Sequence, residues 1–383
     1  MIRSLIHTLF ILLLFGLQFV VYRFGVSMYE TPKLVAAQLM FLGLFILAAI
    51  YIFKYRPTFP GRMYFIFTGI LIFLLCLHLL LFNSPAILWG NIFRFQGTFL
   101  LILLLCFSFI ASFFKPTRVY YFAGLATLVA TTVLTLLLDA NISGRAIALL
   151  GEPNMLAEAI IFIWPWAFLI PISHPYRKVA LRVGVVIMAL LLLWLSGSRS
   201  GMLGFGVQSI LLFAYFCVPK KFALSVPAVF GIILACSVVP LLERDRTWEN
   251  RGEIWLTAAV AGSASPIIGN GFGSVETSLY RAAVKVENTL RYEYVDSSHN
   301  ILLDWWVQGG LIGLGVFLVL ICYSFYRFIQ VKDVLMVVLL AGVLCTLFFN
   351  PASIVALVHL WWLIGRGFDR NMDSIDRNGV NGI

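Results

Sequence analysis

LVAAQLMFLGLFILAAIYIF, Leu34 to Phe53, runs for twenty residues without a charge. A helix rises about 1.5 Å per residue, so such a run spans roughly 30 Å, the hydrocarbon thickness of a bilayer. Similar runs recur at Leu5–Val21, Tyr64–Phe82, Thr98–Phe114, Val119–Leu138, Met155–Ile172, Val179–Leu195, Gly201–Val218, Phe222–Leu241, Ile301–Phe325, Val334–Phe349 and Ala352–Ile364. The expectation is all-α: a polytopic membrane helix bundle of about twelve transmembrane helices. Composition agrees, with 61% hydrophobic and 11% charged residues and a mean hydropathy of +0.98, values foreign to soluble globular domains. No small-residue cleavage site follows the first run and further spans do, so it reads as a retained helix and not as a signal peptide.

Orientation follows from Lys and Arg, which short cytoplasmic loops retain. With the N-terminus inside, the even-numbered connections carry Lys54, Arg56 and Arg62, then Lys115 and Arg118, then Arg177, Lys178 and Arg182, then Lys220 and Lys221, then Arg327 and Lys332. The opposite loops hold scattered cations such as Arg23, Lys33, Arg94, Arg145 and Arg199. The predicted organisation is spans one to nine over residues 1–241, an outward-facing loop with short helices over 242–298, spans ten to twelve over 299–365, and a cytoplasmic tail over 366–383. The net charge of +10 then reports topology. Cations dispersed among spans do not form a nucleic-acid surface.

All six cysteines, Cys76, Cys106, Cys217, Cys236, Cys322 and Cys345, fall in or at the end of predicted spans, so neither a disulfide framework nor a CxxC metal site is expected in the loop. HExxH, a Walker lysine loop and a GxGxxG after a strand are all missing from the sequence, and GNGFG at Gly269–Gly273 reads as a flexible turn after Pro266. No cofactor and no metal ligand is predicted.

Three polar constellations stand out. In SGSRSG, Ser196–Gly201, small residues let the backbone turn tightly, and Arg199 offers a forked, permanently charged donor suited to phosphate. Equally, Arg199 could snorkel to lipid headgroups while the serines cap the next helix. In RTWENRGEIW, Arg246–Trp255, Arg251 lies one helical turn before Trp255 and near Glu249 and Glu253. It could hold an anion, stack on the ring or pair with a carboxylate. In DSSHNILLDWW, Asp296–Trp306, Ser297 or Ser298 is the expected N-cap, which places His299 in the first turn of a helix. A neutral imidazole there suits a general base; the plain alternative is a surface histidine that helps cap the helix.

Several residues are candidates for support. Asn300 and Asp304 follow His299, and Asp304 could orient it or pair with an arginine. Asn154 and Glu158 share a helix face and could reach the same cavity or join helices by hydrogen bonds. Arg94 and Gln96 could touch phosphate or sugar. Trp305, Trp306, Tyr292 and Tyr294 could stack on sugar rings or mark the membrane interface.

SGSRSG, then RGEIW followed by SPIIGNGFGS, then DSSHNILLDWWVQGGLIGLGVF, in that order, resembles the O-antigen ligase and Wzy-type polymerase superfamily of bacterial membrane glycosyltransferases. The likeness is sharpest over Leu191–Phe317, with echoes in FRFQGTF, Phe93–Phe99, and GEPNMLAEA, Gly151–Ala159. It implies a GT-C-type bundle at the bacterial cytoplasmic membrane, working on its outer face. The donor would be a glycan on undecaprenyl pyrophosphate and the acceptor a hydroxyl of a glycan, glycolipid or protein. Carried over by motif, Arg199 and Arg251 become pyrophosphate ligands and His299 the base, without a metal.

Chemically, two arginines can stabilise charge developing on the bridging oxygen, and direct displacement would invert the anomeric centre. A paired-carboxylate mechanism would draw on Glu249, Glu253, Glu276, Glu287, Glu293 or Asp296, whose scatter through the loop fits a charged face better. The competing class is a transporter or flippase of an anionic lipid or solute, which calls for ionisable residues deep in several spans and an internal repeat. A non-catalytic scaffold would leave Arg199, Arg251 and His299 without a shared task.

Overall fold

A computed structural model describes residues 1–22, 27–82, 84–138, 140–217 and 251–370. Among the described residues the regular secondary structure is helical except for a small hairpin, Asn141–Ile142 with Arg145–Ala146. Its turn residues Ser143 and Gly144 both have positive φ, the conformation that two-residue hairpin turns favour.

Six helical stretches are long and apolar enough to cross a membrane: Ile2–Phe19, Glu30–Tyr55, Arg62–Phe82, Arg118–Leu138, Pro175–Ser196 and Ile301–Gln330. Thr98–Ala111, Val334–Leu347 and Ile354–Gly367 are shorter apolar helices. With Pro153–Phe168 and Arg199–Cys217, helices coincide with eleven of the twelve predicted spans. The ninth, Phe222–Leu241, lies outside the described residues, as do 242–250 and 371–383. The chain is a multi-pass membrane protein. In chain order the helices are α1 Ile2–Ile11, α2 Glu30–Tyr55, α3 Arg62–Phe82, α4 Pro85–Trp89, α5 Thr98–Ala111, α6 Arg118–Leu138, α7 Pro153–Phe168, α8 Pro175–Ser196, α9 Arg199–Cys217, α10 Arg251–Ser263, α11 Val275–Lys285, α12 Ile301–Gln330, α13 Val334–Leu347 and α14 Ile354–Gly367.

Position in the bundle follows from how the apolar residues are distributed. On α7 every residue from Met155 to Ala167 is buried, and on α14 all but Leu357 are. A helix apolar on every face belongs in the middle. The 14 residues of α14 reach only about 21 Å, short of a hydrocarbon core, but neighbours α5, α7, α12 and α13 encase it.

Polar groups inside this core are paired across helices. Gln208 on α9 donates to the carbonyls of Ile161 on α7 (2.9 Å) and Val338 on α13 (3.0 Å), and Trp164 Nε1 donates to its Oε1 at 2.5 Å. His359 on α14 stacks on Phe162 with centroids 3.7 Å apart, and its Nε2 lies 2.9 Å from the Leu14 carbonyl. Leu14 sits in the π-helical turn Leu12–Gly16 that follows α1.

The most consequential irregularity is at Gly310, inside α12, where φ is 60° and ψ is −162°. The break frees backbone groups on both sides, and residues 266–271 supply their partners. Asn270 N donates to Val307 O and Gly271 N to Gln308 O, both at 2.9 Å; Leu311 N donates to Pro266 O at 2.8 Å and Ile312 N to Ile267 O at 3.1 Å. Non-helical backbone at membrane depth persists only when protein satisfies it in this way. GNGFG is therefore a docked strap and not the flexible turn expected from its glycines. Gly269 and Gly310 have positive φ, and a Cβ on either would strike the other segment's backbone.

Replacing Gln208 with Leu should remove three interhelical hydrogen bonds and leave the Trp164 N–H without its acceptor. A loss of about 1–3 kcal/mol is expected, read as a lowered unfolding temperature of purified protein in detergent. An unchanged midpoint would show that the bonds contribute nothing.

Candidate functional site

The His299 turn is built by the residues on either side of it. Asn300, in extended conformation, is the N-cap of α12, its side chain accepting from Leu302 N at 2.9 Å and Leu303 N at 3.2 Å. His299 thus precedes the helix and does not lie in its first turn, a correction to the serine-cap expectation. The serines have other work. Asp304, one turn into α12, accepts from Ser297 Oγ and from Ser298 N, both at 2.8 Å. Ser297 Oγ in turn accepts from His299 N at 3.0 Å, and Ser298 Oγ donates to the Asn300 carbonyl at 2.9 Å. Asp304 positions the backbone that carries His299. His299 itself has a φ of 56°, a left-handed conformation that non-glycine residues adopt uncommonly and that clusters at functional sites.

One residue ahead of this turn, Asp296 accepts from Arg94 Nε at 2.6 Å, with side chains only 11% and 16% exposed. Burial opposes the guanidinium charge, but Asp296 and, further off, Glu30 outweigh it and raise the pKa of Arg94 above its ordinary value. Arg94 Nη1 and Gln96 Nε2 both donate to the Ala352 carbonyl, at 3.3 and 2.6 Å. Arg94 and Gln96, candidates for phosphate or sugar, thus bond to protein groups, Arg94 to the residue that precedes the His299 turn and both to Ala352.

Ala352 belongs to a turn, residues 348–353, that joins α13 to α14 and is met from several sides. Asn350 donates to Ser200 Oγ at 2.7 Å. Ser353 caps α14, accepting from Ala356 N, and donates to Glu158 Oε2 at 2.9 Å. The Ile354 N–H donates to Glu30 Oε2 at 3.2 Å. The Trp255 ring lies 6.4 Å from both Phe348 and Phe349.

Arg199 is exposed at the start of α9, beside Ser198 and Ser200, which are buried. Ser198 Oγ donates to Asn154 Oδ1 at 3.0 Å, and Arg145 Nη2 donates to the same oxygen at 3.2 Å. Arg145 Nε holds the Ser196 carbonyl at 2.8 Å. Asn154 and Glu158 therefore join elements of the bundle by hydrogen bonds, Asn154 to the Arg199 turn and Glu158 to Ser353. Arg251 opens α10, half-buried; Glu253 beside it accepts from Thr289 N and Oγ1. Among the described residues no group of three or more His, Cys, Asp or Glu side chains could hold a metal ion.

The residues missed from the sequence are Asn350, Ala352 and Ser353, with Glu30 and Arg145. The signal was NPAS at Asn350–Ser353, a polar tetrapeptide with a proline between two apolar runs. It marks a turn, but nothing in it says what the turn touches. Beneath, a cavity of about 70 Å³ is lined by Gln96, Asp304, Gln308 and Ala352 among apolar side chains.

Residues 183–318 match the protein-family model Wzy_C, described as O-Antigen ligase, and the chain carries this O-antigen ligase family domain. Arg199, Arg251 and His299 all lie within the matched region, whereas Arg94, Asn154 and the 348–353 turn lie outside it. No curated protein matches the chain.

Arg94→Ala leaves a mostly buried Asp296 carboxylate uncompensated, a loss of roughly 3–5 kcal/mol for a buried pair. The Arg94→Ala/Asp296→Ala double variant should lose less stability than the sum of the single variants, as measured by thermal unfolding. Strict additivity would mean the pair is not coupled.

Proposed function

We propose that the protein is a membrane glycosyltransferase that moves a glycan from undecaprenyl pyrophosphate to an acceptor hydroxyl at the outer face of the cytoplasmic membrane. Family membership implies a glycan-transferring enzyme with lipid-linked substrates. One observation carries the assignment of the site. The turn 348–353 is touched by Ser200 beside Arg199, by Trp255 one helical turn beyond Arg251, and by Arg94, whose ion pair with Asp296 anchors the His299 turn. Residues dozens of positions apart in sequence thus share one end of the bundle.

In this reading Arg199 and Arg251 hold the pyrophosphate, Arg199 at the start of α9, whose N–H groups also favour an anion. His299 takes the proton from the acceptor hydroxyl, whose oxygen attacks the anomeric carbon from the face opposite the pyrophosphate. The glycosidic bond to phosphate breaks as the new one forms, so the centre inverts and undecaprenyl pyrophosphate departs with the bonding electrons. Charge appears on the bridging oxygen, where the arginines stabilise it without a metal. The positive charges at connections such as Lys54–Arg62 and Arg177–Arg182 support the outward orientation of this end. A ligase and a polymerase would share this chemistry and differ in acceptor.

Transfer from purified undecaprenyl-pyrophosphate glycan in liposomes, with EDTA present, should proceed with wild-type protein. His299→Ala and Arg251→Ala should each lower it by about a hundredfold or more at unchanged yield of folded protein. Activity indifferent to both substitutions, or donor carried across the bilayer without transfer, would overturn the proposal in favour of a transporter.

A further inference from the structure

We propose that the depression between α11 and residues 290–295 is a saccharide-binding subsite, holding one pyranose unit of a glycan substrate away from the reacting bond. This rests on the glycosyltransferase reading and adds a location to it. Glu276, Tyr280 and Arg281 are on one wall and Glu293 and Tyr294 on the other, with apolar side chains among the remaining lining. The depression measures about 290 Å³, near the lower end of the roughly 300–1,000 Å³ range of small-molecule clefts, and has room for a sugar ring with its substituents.

Its chemistry is that of carbohydrate recognition. Tyr280 and Tyr294 are 57% and 56% exposed, and an exposed aromatic ring can stack on the C–H face of a pyranose. The two carboxylates accept from sugar hydroxyls, and the Arg281 guanidinium donates to hydroxyl or ring oxygens. The two walls are tied to each other: Tyr294 donates to Glu276 Oε2 at 3.1 Å. Partial burial first, and the Glu276 charge after it, raise the pKa of the Tyr294 hydroxyl above its ordinary value and so keep it a donor. The Tyr294 ring also packs on Phe93 at 4.9 Å, and Phe93 precedes the Arg94 that pairs with Asp296. The wall is thereby fixed to the same ion pair as the His299 turn. Tyr294 lies five residues before His299, so the two are at most about 18 Å apart along the chain. That is within reach of a short oligosaccharide. A subsite there would grip the glycan while leaving its reacting end free.

The probe is the repeat-unit oligosaccharide released by mild acid from the host's own undecaprenyl-pyrophosphate pool, added to the full-length protein in detergent. Saturation-transfer NMR should detect its binding to wild type and to His299→Ala alike. Tyr280→Leu/Glu293→Gln, two exposed positions, should weaken binding by roughly tenfold or more. In liposome transfer the same double variant should raise KM for one substrate about tenfold, by a larger factor than kcat falls. A shift confined to acceptor KM assigns the subsite to the acceptor glycan; one confined to donor KM assigns it to the donor. Binding and both KM values unmoved by the double variant would overturn the subsite, even if His299→Ala still abolished transfer. Binding weakened as expected, with wild type incapable of transfer, would instead retain a saccharide site and sink the glycosyltransferase reading.

Discussion

In hydrocarbon, a backbone or side-chain polar group that finds no partner inside the protein costs several kcal/mol, and this constraint shapes each departure from regular helix. At Gly310 the ladder of α12 is interrupted, and four hydrogen bonds from residues 266–271 close the gap. The same docking fixes the strap that leads into α11. The irregular turn at Leu12–Gly16 is matched by His359, which meets the Leu14 carbonyl from the centre of the bundle. Where the helix is broken, another segment must be held close, and holding it close builds the surface above.

The same demand organises the end of the bundle that carries the candidate residues. The turn at 348–353 meets partners from α7, α9 and the Arg94 loop, and the residue after it, Ile354, meets Glu30 of α2. Because Arg94 also pairs with Asp296, the His299 turn is tied to the bundle by a charged bond that is largely shielded from water, and screening by salt is correspondingly weak. Asp304 completes the arrangement from inside α12 through Ser297 and Ser298. The left-handed backbone of His299 is held by its flanking residues, so the imidazole's attachment point is set by structure outside it.

Much of this was legible from residue order. Periodicity was irrelevant to the spans, since uninterrupted apolar length alone located helices such as Arg62–Phe82 and Arg118–Leu138. The three motifs around Arg199, Arg251 and His299 fall inside the matched family domain. Legibility failed where the outcome depended on which of several capable groups won. Asn300 displaced Ser297 and Ser298 as cap because Asp304 engages both serines, a tertiary fact beyond the reach of cap preference. GNGFG looked mobile by composition, whereas its glycines permit the close backbone approach at Gly310. Arg145 looked like a stray cation, and only the fold shows it holding Ser196 and Asn154 at the base of the Arg199 turn.

The placement of ionisable groups also bears on surface chemistry against passage. Glu30, Lys33 and Glu158 are buried in the bundle, the feature a transporter would require. Yet Glu30 meets the first residue of α14 and Glu158 meets its cap, while Lys33 holds the carbonyls of Tyr29 and Leu149. All three thus bond to groups at helix ends or connecting turns. Deeper in the bundle, Gln208 and His359 are each bonded to helix carbonyls, contacts of the kind that join helices to one another. Arg366 and Asp369, also buried, pair with each other at the C-terminal end of α14, so these charges too sit at a helix end.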